Sequence, residues 1–291
     1  MRSVVLTLAF ASLSAVAHAQ GVRTVAWDSV GALLGTPPTP TAGYMRYNRP
    51  RRDLTVMVGD VRVATGLALG GWVGFDGAPT SAMMMGDLVV TAAELPALER
   101  ALIDGGLSIT AVHNHLVGET PQVLYVHVHG HGAATTLARA VDRAVATTAT
   151  PRPLASPTPT PAPLTADTAL VFAQLGQRGR GTGNVASVTL ELVPQPVTVQ
   201  GRAVPGALAA ASPVNVQFVS ATRVVATGDF AVTETQLEPL VRALVRGGVT
   251  VTAVHSHLSG ESPHVLYVHF WGDGPPTDVL AALRRAIDAA R

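Results

Sequence analysis

Apolar residues recur along the chain at two spacings, and the spacings mark its elements. From about Ala92 to Asp104, Leu95, Leu98 and Leu102 fall three and four apart. That is the interval of one helix face, and Gly105-Gly106 stops the run. The same interval returns at Leu237, Leu240, Val241 and Leu244, stopped by Gly247-Gly248, and at Leu280, Leu283 and Ile287 within a helix predicted over 277–290. Elsewhere the spacing drops to two. "SITAVHNH" and "QVLYVHVHG" alternate in that way and predict two strands that return antiparallel around a turn at "VGETP". A strand at "GDLVVT", β-like runs in "DLTVMVGDVRVATGLAL" from Asp53, short helices over 27–34 and 169–175, and a helix over 133–147 complete the reading. The order strand, helix, strand, strand, helix predicts an α+β fold: a mainly antiparallel sheet with packed helices and a histidine-rich β-hairpin.

This pattern occurs twice. "VHNHLVGETPQVLYVHVHGHG" (112–132) aligns without a gap on "VHSHLSGESPHVLYVHFWGDG" (254–274), 142 residues on. At the same offset "MGDLVVT" matches "TGDFAVT", and "LPALERALIDGGLSITAVH" matches "LEPLVRALVRGGVTVTAVH". Further upstream the match weakens to pairs such as "WVGF" (72–75) with "NVQF" (215–218). A shared offset over such a span implies two homologous repeat units. Between them, "TPRPLASPTPTPAPLTAD" alternates prolines with small residues, a composition that favours extended polyproline II and supplies no core. The expected organisation is a signal peptide at 1–19, a first repeat at 20–149, a proline-rich linker at 150–167 and a second repeat at 168–291.

Composition narrows the chemistry. There is no cysteine, so disulfides, thiolate nucleophiles and thiolate-ligated metals are excluded. Every basic residue is arginine, which excludes a Schiff-base or phosphate-loop lysine. A net charge of +1 gives no electrostatic case for nucleic acid or an anionic membrane. The N-terminus carries Arg2, an apolar stretch from Val4 to Val16, and Ala17 and Ala19 in small-residue cleavage positions. This predicts export to the periplasm or medium, with cleavage after Ala19 and no stable membrane insertion afterwards.

Half of the chain's ten histidines lie in the first hairpin. Residues two apart on a strand share a face, so His113 and His115 share one, as do Tyr125, His127 and His129. If odd positions oppose odd positions, the two sets meet. Glu119, in the turn, can then fold back as an oxygen ligand or general base. The second unit keeps His255, His257, Glu261, Tyr267 and His269, so the shared motif is H-x-H-x3-E-x-P-x3-Y-x-H. Three imidazoles and a carboxylate can hold a divalent transition metal: zinc, manganese, iron, nickel or copper. The first half of the motif also echoes a cupin metal box, but flanking helices and the lack of a second box weigh against a cupin barrel. Asp87 and Asp229, in the repeated Gly-Asp pair, read better as turn caps than as ligands. "RPRRD" (49–53) could bind an anion but reads better as a solvated loop.

The two hairpin segments with their "GDLVVT" and "GDFAVT" partners resemble the family that includes the mycobacterial LppY/LpqO lipoproteins, over nearly the whole mature chain. The resemblance implies an exported protein with a repeated domain of unknown function. It implies no reaction. Without cysteine this chain has no lipidation site.

Three functions fit these residues. The first is an exported metal protein, with ligands drawn from His113, His115, Glu119, His127, His129, His255, His257, Glu261 and His269. If it is an enzyme, Glu119, Tyr125, Glu261 and Tyr267 are the candidates for proton transfer or substrate contact. The second is a non-catalytic module that binds a small-molecule ligand or sequesters metal. The third is a structural envelope protein whose histidines merely pack. Where the first unit has His129 and His131, the second has Trp271 and Asp273. The first hairpin is therefore the expected stronger metal site, against the competing reading of one site shared by both hairpins. Limited proteolysis is expected to cut within 150–167 and leave two fragments of similar size, separable under denaturing conditions. Cuts concentrated elsewhere would overturn the linker assignment.

Overall fold

The structure is a computed structural model that describes residues 25–152 and 163–291. The predicted signal peptide and residues 153–162 of the predicted linker lie outside them. The flanks of that linker are tied down: Arg152 pairs with Asp142, Ala166 is buried, and Asp167 caps the helix Thr168–Leu175 by accepting from the Leu170 N–H.

Each repeat forms a six-stranded antiparallel sheet with helices on one face. In the first the spatial order is Thr39–Thr41, Tyr44–Pro50, Gly70–Ala78, Ser81–Thr91, Val123–Gly132, Ser108–His113. In the second it is Gly179–Thr182, Val185–Glu191, Ala211–Ser220, Arg223–Thr233, Val265–Gly274, Thr250–Ser256. The expected α+β class and duplication hold. Both sheets are open, so the cupin echo has no barrel behind it. The upstream pairing of Phe75 with Phe218 is corrected. Phe75 lies opposite Met84, while Val216 lies opposite Ala226, the residue 142 on from Met84. The run from Asp53 also differs. Its strands are two residues each, Met57–Val58 and Val61–Arg62, and "TGLA" (Thr65–Ala68) is a single helical turn.

Alternation along the long strands decides what each face touches. On Ser81–Thr91, Ala82, Met84, Leu88 and Val90 pack under the helices Val25–Leu34, Leu95–Asp104 and Ala134–Val145. Met83, Met85 and Val89 turn the other way and pack against residues of the second repeat, among them Val199, Leu208 and Val225. The second sheet is built likewise, with its own helices on the far side. The two sheets therefore meet face to face in an α-β-β-α stack. Burial on both faces accounts for the nearly unbroken apolar run of "SAMMMGDLVVT".

Polar clasps fasten the stack. The Gln217 amide accepts from the Ala64 N–H and donates to the Arg62 carbonyl, both at 2.8 Å, and Asn215 donates to the Leu67 carbonyl. Arg223 bridges Asp60 of the first repeat and Asp273 of the second. Two further bonds are reciprocal. The Thr110 hydroxyl donates to the His257 carbonyl at 2.7 Å, and Thr252, 142 residues on, donates to the His115 carbonyl at 3.1 Å. A pseudo-twofold axis thus passes between the two edge strands Ser108–His113 and Thr250–Ser256.

The Gly-Asp pairs lie in mid-strand, where the neighbouring strand comes close. A Cβ on Gly86 would lie 2.7 Å from the Trp72 carbonyl oxygen, and one on Gly228 would lie 2.9 Å from Val214 Cα and closer still to the Pro213 carbonyl. Gly86→Ala and Gly228→Ala are each expected to lower unfolding stability by about 2–3 kcal/mol, because backbone must move. Gly66→Ala, which meets nothing within 4 Å, is expected to stay within about 0.5 kcal/mol. Denaturant titration compares the three, and equal effects would refute the close-approach reading.

Candidate metal centre

The hairpin register is the one expected: His113 lies opposite Tyr125 and Ala111 opposite His127, beyond an irregularity between Ile109 and Ala111. His115 lies past the end of its strand. The second hairpin repeats this, with His255 opposite Tyr267 and Ala253 opposite His269. Because these residues occupy the inner faces, the hairpins do not form separate sites. Six histidines from both repeats form one cluster at the axis.

Ring contacts show the symmetry. His113 and His255 stack on each other with centroids 4.0 Å apart. His115 lies 4.0 Å from His269, and the symmetry-related pair, His257 and His127, 3.6 Å apart. Tyr125 packs on His115 at 4.0 Å and Tyr267 on His257 at 3.3 Å. His255 Nε2 and His269 Nε2 approach to 2.6 Å. His113, His115, His127, His257 and His269 are all at most 9% exposed.

Two carboxylates that were read as turn caps join the cluster, which corrects that reading. Asp87 and Asp229 sit within the strands Ser81–Thr91 and Arg223–Thr233, on the inner faces. Asp229 lies opposite His269 and contacts its Nδ1 at 3.0 Å. Asp229 also approaches His115 Nδ1 at 3.5 Å, while Asp87 is 3.9 Å from His115 Nε2. A repeated aspartate within a run of otherwise buried apolar residues was the available sequence signal, since a lone charge is rarely buried without a partner.

Other predicted site residues lie elsewhere. Glu119 and Glu261 join none of the donor sets among the described residues. Their turns are not free loops: Glu119–Thr120 pairs with Met57–Val58, and Glu261–Ser262 with Val197–Val199. Each carboxylate accepts from the backbone N–H four residues on, Val123 or Val265. His129 is not brought to His127's partners either; its ring packs on His131 at 4.6 Å. The basis for a stronger first-hairpin site is thereby removed. Tyr125 and Tyr267 are beside the cluster, but their hydroxyls donate to the carbonyls of Ala68 and Ala209. They anchor the short helical turns Thr65–Ala68 and Gly206–Ala209. Arg51, expected to be solvated, is buried and holds Asp53 and Glu94.

The electrostatics follow from burial. Desolvation, then repulsion from neighbouring imidazoles, pushes His127 down to about 3 and His255 down to about 4. The same causes place His113, His115 and His257 well below the usual histidine range. Burial first, then the charge of Asp229, pushes Asp87 up to about 8. Burial alone would also raise Asp229, but His269 and His115 hold it below the usual carboxylate range. The buried surroundings thus favour the neutral form of His113, His115, His127, His255 and His257, the protonated form of Asp87 and the charged form of Asp229. Neutral imidazole is the metal-binding form. Among the described residues, three donor sets have all their ligand atoms within 4.8 Å of one another: His113, His255, His257, His269; Asp87, His113, His115; and His115, Asp229, His269.

The family model described as Domain of Unknown Function (DUF1259) matches residues 28–147 and again residues 169–289. The chain belongs to this family. Its two DUF1259 copies coincide with the two sheets that face each other across the cluster. No curated protein matches the chain. Similar solved structures include the trimeric bacterial microcompartment shell protein PduB, at 12% identity over 85% of this chain and 86% of that one, with a TM-score of 0.19. Another is EtuB from Clostridium kluyveri, at 12% identity over 87% and 90%, with a TM-score of 0.21. Scores this low transfer neither fold nor function.

The buried histidines predict an acid-labile fold. Unfolded histidine titrates near about 6.5, so between about pH 6.5 and 4 the unfolded chain takes up protons that folded His127 and His255 refuse. Stability is lost as pH falls, by about 1.4 kcal/mol per pH unit for each such histidine. Asp87 acts in the opposite sense: its contribution is full below about pH 4 and is lost as pH rises through about 8. The histidines outnumber it. The melting temperature of chelator-treated protein is therefore expected to fall steadily from pH 7 to pH 5. A flat profile there would contradict neutral burial of the imidazoles.

Proposed function

We propose that the protein binds a divalent transition metal between its two repeats. The observation that carries this is a set of unsatisfied donors. Both ring nitrogens of His113, Nε2 of His115, His127 and His257, and Oδ1 of Asp87 are buried without a hydrogen-bond partner among the described residues. A buried polar atom left unpaired costs about 1–3 kcal/mol, and native proteins keep few. Four imidazoles and a carboxylate oxygen left unpaired in one cluster are accounted for by metal coordination, each ring giving one lone pair to an ion. Packing alone, as in a purely structural envelope protein, leaves them unexplained.

Donor chemistry narrows the ion. Imidazoles outnumber carboxylates three to one, a set suited to zinc, copper, nickel or iron more than to oxygen-seeking manganese. The ligands are nearly inaccessible, as in closed sites that hold an ion, whereas catalytic sites keep a coordination position open. Holding or sequestering metal therefore fits better than catalysis. The leader-like N-terminus supports a periplasmic or secreted location. Among the described residues no helix is long and apolar enough to cross a membrane.

Elemental analysis of the full chain, prepared without a histidine tag, is expected to find transition metal in stoichiometric amount. His113→Ala with His269→Ala, one substitution in each repeat, is expected to weaken binding by about 100-fold or more, since changing even an outer-shell partner costs 10–100-fold. Circular dichroism checks that the variant folds. Full metal retention by a folded double variant would refute the proposal.

A further inference from the structure

Eight donors exceed what one ion uses. Zinc in such sites takes four ligands, and other first-row ions up to six. Six imidazoles and two carboxylates supply enough donors for two four-coordinate ions. The pseudo-twofold axis relates Asp87 to Asp229, so each repeat contributes one carboxylate and three imidazoles.

Two of the three donor sets are arranged in keeping with this division, while the four-histidine set, His113, His255, His257 and His269, lies across the middle and joins the two ends. The two sets that contain a carboxylate, Asp87–His113–His115 and His115–Asp229–His269, have only His115 in common. His115 presents a different nitrogen to each. Its Nε2 faces Asp87 Oδ2 at 3.9 Å, and its Nδ1 faces Asp229 Oδ1 at 3.5 Å. The lone-pair directions of the two ring nitrogens diverge, so one imidazole cannot place both on a single ion. A ring lying between two carboxylates, with one nitrogen toward each, is suited to separate two cations. We propose that the cluster holds two transition-metal ions, one beside Asp87 and one beside Asp229, with the His115 ring between them. The proposal rests on the metal-binding reading above and adds the number of ions and their order along the cluster.

Charge balance favours a specific state of that ring. Two dications bring four positive charges into a buried site; Asp87, once the ion beside it displaces the carboxyl proton to solvent, and Asp229 offset two. If the second ion takes the remaining nitrogen of His115, its N–H bond breaks, the proton leaves to solvent, and the imidazolate offsets a third. His113 completes the Asp87 end and His269 the Asp229 end. His255, His257 and His127 remain close enough to fill the other positions: His257 packs on His127, and His255 on both His113 and His269.

The test is metal counting and spin counting on the full-length, tag-free chain loaded with copper(II) and freed of excess ion. Two equivalents per chain are expected, falling to one in Asp87→Asn and one in Asp229→Asn. Electron paramagnetic resonance of the wild type is expected to integrate to well under two spins, because the ions couple through the His115 ring. His115→Ala is expected to keep at most one equivalent. One equivalent in the wild type would overturn the two-ion centre while leaving the metal reading intact, and none would overturn both. Two equivalents that integrate to two independent spins, or a His115→Ala protein that keeps two coupled ions, would remove His115 from between them. Melting curves establish that each variant is folded, and the wild-type counts decide the question without them.

Discussion

Everything in this molecule follows from two sheets closing on each other through faces that are only partly apolar. Each sheet has one face fully served by its own helices. The opposite face carries Met, Val and Leu toward the ends but imidazoles and a carboxylate at the centre, and it is covered only when the other repeat arrives. Apolar contacts drive that closure, at about 25 cal/mol for each Å² removed from water. The polar centre is then carried out of water whether or not it is satisfied. Polar satisfaction and burial therefore conflict at one place, and the functional reading grows from that conflict.

Much of this was legible in the sequence. The spacing of leucines located the helices, the 142-residue offset located the repeats, and the two-residue alternation put His113 and His127 on one face. Alternation cannot say what a face looks at. It places His255 and His269 on the inner side of their sheet without revealing that His113 and His115 stand opposite. The contact between hairpins is a tertiary fact set by the packing of whole sheets, and it turned two expected sites into one.

The carboxylates show the same limit. Glu119 and Glu261 were attractive because they lie in the hairpin turns, close in sequence to the histidines. Short strands at Met57–Val58 and Val197–Val199 draw those turns away, and nothing local to the turns announces it. Asp87 and Asp229 lie 26 residues before His113 and His255 and follow a glycine, so they looked like turn residues. The glycine has another purpose, since Gly86 and Gly228 admit a neighbouring strand at close range. Both aspartates are interrupted-core residues, and a charge in the middle of an apolar strand was the clue.

The reciprocal bonds from Thr110 to the His257 carbonyl and from Thr252 to the His115 carbonyl have a wider consequence. They are what an isologous interface looks like, the same surface used twice with its partners exchanged. A protein with a single repeat would assemble the same centre as a symmetric homodimer, and its site would dissolve on dilution. Fusing the copies makes the encounter intramolecular, so that closure depends on an effective concentration set by the connecting chain and not on how much protein is present. It also frees the two copies to differ away from the axis, as His129 and His131 differ from Trp271 and Asp273, which an obligate homodimer cannot do.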